Sequence, residues 1–193
     1  AHQQSQALYR ALQAVPVSGP RTDCIAPIGE QQLAIGLREE VDANFYTVAT
    51  RPPAVYRGNP FQIEVGLAWG QAAGAHLELD EHGRIHKTTR QRRSAVPEME
   101  LRGDEPAWLL RFANRVPLLY DHEGCAITRA VLQTNWRAYG LDQPRGGLPH
   151  GPLLILVHLA SVWVPYASEA KEAIAPYPEI VKEIRLGLQT CGR

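Results

Sequence analysis

Residues 62–69, QIEVGLAW, alternate without a break: Ile63, Val65, Leu67 and Trp69 fall on one side, Gln62, Glu64, Gly66 and Ala68 on the other. Successive side chains of a strand point to opposite faces. The spacing therefore predicts a half-buried β-strand, with its Ile63 side on the core and its Glu64 side open. A second stretch, LLILVHLA at 153–160, is apolar almost throughout and suits a central strand buried on both faces. His158 shares a face there with Leu154 and Leu156 and reads as a core histidine, with no carboxylate nearby to orient it.

Working outward, Asn44–Thr50 is rich in β-branched and aromatic residues and predicts another strand, and RPPAVYRGNP (51–60) is a proline-bearing loop. Upstream, Leu33, Leu37 and Val41 recur every four residues, which predicts a helix over Ile28–Val41 opened by Pro27. Leu8, Tyr9 and Leu12 give an earlier helix, Gln4–Val15, broken by Pro16, Gly19 and Pro20. Downstream, Trp108–Ala113 and Val116–Tyr120 are strand-like and split by Asn114-Arg115. A helix follows at Gly124–Thr134, and a glycine loop over Gln143–Gly151. Ser168 is placed to cap a short helix, and Pro178 to open a longer one with Ile180, Ile184 and Leu188 on one stripe. Residues 71–106 form a long excursion, with a hairpin setting Leu77 and Leu79 across Gly83 from Ile85. This order of elements implies an α+β or α/β two-layer sandwich without internal repeats.

Composition narrows the function classes. The chain has 193 residues, with 20 Lys+Arg against 20 Asp+Glu and 45% hydrophobic residues, which suits one globular core rather than a disordered or fibrous chain. Zero net charge removes the broad basic footprint of a nucleic-acid protein but leaves room for a local patch. The longest apolar run falls far short of the ~20 residues that span a bilayer, so no membrane partner is expected. A polar N-terminus beginning at Ala1 carries no signal peptide and suggests a fragment or processed chain. The three cysteines, Cys24, Cys125 and Cys191, are far apart, and the His122/Cys125 pair falls short of a metal site, so reduced thiols are expected.

No G-x-S-x-G, H-E-x-x-H or P-loop is present, which argues against a self-contained enzyme. Three clusters stand out. Arg57-Gly58-Asn59-Pro60 is a turn carrying a cation. Trp136-Arg137-Ala138-Tyr139 sets a cation between two aromatics at a helix end, as a nucleic-acid contact or an amphipathic cap over the core. In Ser168-Glu169-Ala170-Lys171-Glu172, a lysine in a first helical turn opposes the helix dipole. By sequence physics alone a surface ion pair to Glu169 or Glu172 accounts for it. Lys171 is one of only three lysines, with Lys87 and Lys182.

Read together, TDCIAPIGE (22–30), TRPPAVYRGNPFQIEVGLAWG (50–70), LLRFANRVPLLY (109–120), CAITRAV (125–131), WRAYGLDQPRGGLPHGP (136–152) and LLILVHLASVWVPYASEAKEAIA (153–175) resemble the transducer domain of topoisomerase VI B subunits. The resemblance implies an α+β fold of the ribosomal protein S5 domain 2-like type, a two-layer sandwich with a mixed sheet packed on helices. It divides the chain into the tail of a preceding helical module (1–21), the transducer (22–177, with the insertion 71–106) and the start of a stalk helix (178–193). It further implies a part of an ATP-hydrolysing DNA topoisomerase, an isomerase active only as a heterotetramer. ATP and Mg²⁺ are then held by a GHKL-type ATPase domain elsewhere in the same polypeptide, and the fragment itself has no cofactor and no catalytic residue. The implied partners are the A subunit, a second B subunit and double-stranded DNA, in the cytoplasm of a prokaryote at the nucleoid. Lys171 matches the lysine that senses the γ-phosphate. Trp136, Arg137 and Tyr139 match a W-K-x-Y motif associated with DNA. Where the family often has S-T-K after the buried strand, this chain reads Ser161-Val162-Trp163. A stand-alone nucleic-acid-binding module, or a scaffold of this fold without ATP coupling, are the alternatives.

Overall fold

The computed structural model describes residues 2–15, 19, 21–70, 76–79, 85–88 and 101–193. Helices α1 (His2–Ala14) and α2 (Glu30–Glu40) precede strands β1 (Phe45–Thr50), β2 (Ala54–Tyr56) and β3 (Asn59–Trp69). Strands β4 (His76–Leu79), β5 (Ile85–Thr88), β6 (Trp108–Ala113) and β7 (Val116–Pro117) follow. Helix α3 (Ala126–Gln133), a 3-10 turn (Trp136–Tyr139), β8 (Leu153–Ser161) and α4 (Pro178–Cys191) complete the described elements.

The sheet runs β1-β3-β8-β6-β7, with β2 folded onto β3. Strands β3 and β8, the two decisive stretches, pair antiparallel from Phe61 opposite Ser161 to Trp69 opposite Leu153. Strand β6 runs parallel to β8, with α3 in the connection, so the sheet is mixed. Ile63, Val65 and Leu67 face the main core as expected, meeting Ile155, Val157 and Leu159 of β8, Ile127 and Val131 of α3, and Ile180, Ile184 and Leu188 of α4.

The Glu64 side of β3 is not open. Helix α2 covers it, and Leu37, Val41, Ala68, Leu101 and Leu154 form a second, smaller core. A half-buried strand is thereby corrected to one buried on both faces over most of its length. Gly66 is what lets α2 lie so close, because a Cβ there would stand 2.6 Å from Leu37 Cδ1. On the other face, a Cβ at Gly187 would stand 2.7 Å from Val65 Cγ2. Gly187→Ala should push α4 off the sheet and cost about 1–3 kcal/mol, read as a lowered midpoint in urea unfolding.

Leu101 carries the end of the 71–106 insertion into that second core. Within the insertion the hairpin is present, with Leu79 paired to Ile85; residues 80–84 and the basic residues Arg90, Arg92 and Arg93 lie outside the described residues. The strand expected over Val116–Tyr120 stops at Pro117. The buried Arg111 guanidinium takes the carbonyls of Leu118, Tyr120 and Asp121 (2.8–3.1 Å), drawing that segment out of the ladder. Helix α1 shows Leu8, Tyr9 and Leu12 each more than half exposed.

Candidate functional site

Three sites take shape where loops meet the strand and helix ends. The first is the loop between β8 and α4. No helix follows Ser168, which corrects the expectation of a capped one. Pro165 and Pro176 bracket the segment, which takes up no helical ladder. It closes on itself instead: Tyr166 bridges Ile174, Ala167 N–H donates to Ala173 O (2.8 Å), and Ala175 N–H to Pro165 O (2.8 Å). Lys171 sits at the turn made by its N–H to Ser168 O (3.2 Å), in the left-handed region at φ 58°. A non-glycine residue there is uncommon and is held by its surroundings. Lys171 is exposed, and it forms no ion pair with Glu169 or Glu172, so the surface-pair reading does not hold.

Two buried residues anchor this loop. Ala173 and Ile174 are both 0% exposed, and Ile174 O accepts the first N–H of α3, from Ala126 (2.7 Å). Tyr177 then opens α4, its carbonyl accepting Val181 N–H (3.0 Å). The lysine tip is thus joined rigidly to the starts of both helices. Tyr177 also stacks on Tyr56 (centroids 4.1 Å), and Arg57 lies over both rings at 5.3–5.4 Å. Turn chemistry explains the Arg57-Gly58 pair, since both have positive φ, as the tightest hairpin turns require. Burial pushes the Tyr56 phenol up to about 12.

The second site is the 3-10 turn. Trp136 is 1% exposed, and its indole N–H donates to Val131 O (2.8 Å). This corrects Trp136 as a nucleic-acid contact: the ring belongs to the core and has no free face to stack. Arg137 is exposed and donates to Gln143 O (2.9 Å), and half-buried Tyr139 meets Trp136 edge-on. Tyr139 also lies against the end of α4, where a Cβ at Gly192 would stand 2.9 Å from its ring. Of the three motif residues, Arg137 and the edge of Tyr139 remain open to a partner.

The third was missed in the sequence. His158 remains a core histidine, 0% exposed, but a carboxylate does orient it: Glu64, directly opposite in the β3–β8 register. His158 Nδ1–H donates to Glu64 Oε2 (2.7 Å), while Nε2 accepts Arg115 N–H (3.0 Å), which assigns a neutral ring. The carboxylate also accepts the N–H groups of Ile28 and Gly29 (both 2.7 Å) at the start of α2. Burial alone would raise the Glu64 carboxyl; the hydrogen bonds from His158, Ile28 and Gly29 outweigh it and hold it below the ordinary value. Sequence spacing gives no sign of this pair, because the partners are 94 residues apart and meet only once the register is known.

Among the described residues no three His, Cys, Asp or Glu side chains converge as metal ligands. Cys24, Cys125 and Cys191 are unpaired thiols, and burial pushes that of Cys191 up to about 11. No described helix is long and apolar enough to cross a membrane.

The sequence model of the family described as "Topoisomerase VI B subunit, transducer" matches residues 20–193. Over 190 residues the chain is 42% identical to the B subunit of type 2 DNA topoisomerase 6 from Methanosarcina acetivorans, covering 98% of this chain and 26% of that protein. The corresponding protein of Archaeoglobus fulgidus is 42% identical over 186 residues, covering 96% and 26%. Among solved structures, the B-subunit of the DNA gyrase from Myxococcus xanthus overlays 82% of this chain and 37% of its own at a TM-score of 0.43 and 20% identity, too loose a likeness to argue from. The chain thus spans about a quarter of the length of these topoisomerase VI relatives. By the family match and these identities, the chain belongs to the transducer family of topoisomerase VI B subunits.

Proposed function

We propose that the chain couples ATP binding and hydrolysis, in an ATPase domain of the same polypeptide, to DNA cleavage and strand passage by an A subunit. A second B subunit and double-stranded DNA complete the assembly, which works in the cytoplasm at the nucleoid. Lys171 carries the reading: an exposed, unpaired cation held in a left-handed turn and fastened through Ile174 and Tyr177 to α3 and α4. Positions with stored backbone strain cluster at switch regions, and this one is wired to two helices. An ammonium on a flexible stem is a compact charge that distinguishes a triphosphate from its hydrolysis product.

Lys171 is the contact this chain offers to a nucleotide held in that ATPase domain. Arg137 and Tyr139 are its DNA contacts, Arg137 held by Gln143 O and Tyr139 braced against the end of α4.

The test is made in the full-length protein assembled with its A subunit. Lys171→Ala should keep the fold and lower both ATP hydrolysis and supercoil relaxation by tenfold or more, on the order of 1.4 kcal/mol. Lys171→Gly should be as impaired yet more stable than the parent by about 1 kcal/mol, because glycine accepts the positive φ. Unchanged relaxation in either variant would overturn the reading.

A further inference from the structure

Helices α3 and α4 leave a groove of about 470 Å³ between their outward sides. Arg129 of α3 and Lys182 and Arg185 of α4 line it, and no acidic side chain does. Among the described residues none of these cations has an ion-pair partner. Arg185 Nε is buried without a hydrogen-bond acceptor. Three like charges that converge uncompensated, one with an orphaned donor, leave the groove short of an anion. Its floor is apolar, formed by Pro178, Val181 and Leu186.

We infer that this groove docks an acidic, partly apolar protein segment, its carboxylates on the three cations and its apolar side chains on the floor. A nucleic-acid backbone presents phosphates alone and would leave that floor uncovered. Lys182, Arg185 and Leu186 stand at positions i, i+3 and i+4 of α4, so cations and floor alternate within one turn. A helical segment with acidic and apolar residues at the same spacing meets both. This surface is separate from Lys171 and from Arg137, and its use does not depend on the nucleotide reading.

The experiment titrates the peptide EELLEELLEELL into the isotope-labelled chain and follows amide shifts. Shifts confined to residues 129–133 and 178–189 are expected. The double variant Lys182→Glu/Arg185→Glu should bind this peptide about tenfold or more weakly, and should instead take up KKLLKKLLKKLL, which shows that the variant is folded. A short random-sequence DNA duplex should not displace the acidic peptide. Absence of binding, shifts elsewhere, unchanged affinity in the variant, or displacement by the duplex would each overturn the inference.

Discussion

Glu64→Ala should destabilise the protein by about 3–5 kcal/mol, a large part of the roughly 5–15 kcal/mol that holds a domain folded. The substitution strands His158 Nδ1–H and the N–H groups of Ile28 and Gly29, and also removes the acceptor of the longer bond from the Thr50 hydroxyl (3.4 Å). Each orphaned buried donor costs about 1–3 kcal/mol, partly relieved where water reaches the start of α2. Glu64→Gln should still cost about 2 kcal/mol or more, because its amide sets a donor against a donor at one of those contacts. The pH dependence follows in sign. The folded-state carboxyl lies below its ordinary value of 4.5, so its contribution is present above that pH. It is lost as pH falls through the depressed folded value. Urea midpoints measured from neutral to acid pH should therefore converge for the parent and Glu64→Gln. A parent curve that stays parallel to the variant's would show that the carboxylate does not carry this stability.

The same residue shows what the sequence could and could not disclose. Alternation in QIEVGLAW placed every side chain of that strand on its correct face, because the pleat alone dictates faces. Burial of the second face depends on where α2 lands. Leu33, Leu37 and Val41 announced a helix with a core stripe, yet nothing local said which sheet face would receive it. Gly66 was the available signal, a missing side chain in the middle of the polar row. Lys171 was singled out as a lysine opposing a helix dipole, and that ground falls with the helix itself. Its supposed helix failed because the Tyr166–Ile174 bridge, a tertiary closure between two prolines, decides that backbone. The left-handed turn that replaces it is a stronger local oddity than the helix would have been.

Trp136→Ala should be the most damaging single change at the W-R-A-Y turn, and for a reason unrelated to DNA. Emptying a fully buried tryptophan site costs about 3–5 kcal/mol, and Val131 O also loses the indole donor. Trp136→Phe keeps most of the packing and should cost about 1–2 kcal/mol, chiefly from the lost hydrogen bond. Arg137→Ala removes an exposed side chain and should leave stability within about 0.5 kcal/mol of the parent. DNA binding should rank the variants in the opposite order. If Arg137 meets a phosphate, its loss should weaken binding about equally across sequences and reduce the slope of log affinity against log salt by about one. Trp136→Phe should leave that slope as it is, since the ring reaches no partner. Thermal unfolding and salt-dependent DNA affinity measured on the same three variants separate the two roles. A Trp136→Phe variant with parent-like stability and a reduced salt slope would return the tryptophan to the interface; the reverse pattern fixes it as the buried strut of the turn that carries Arg137.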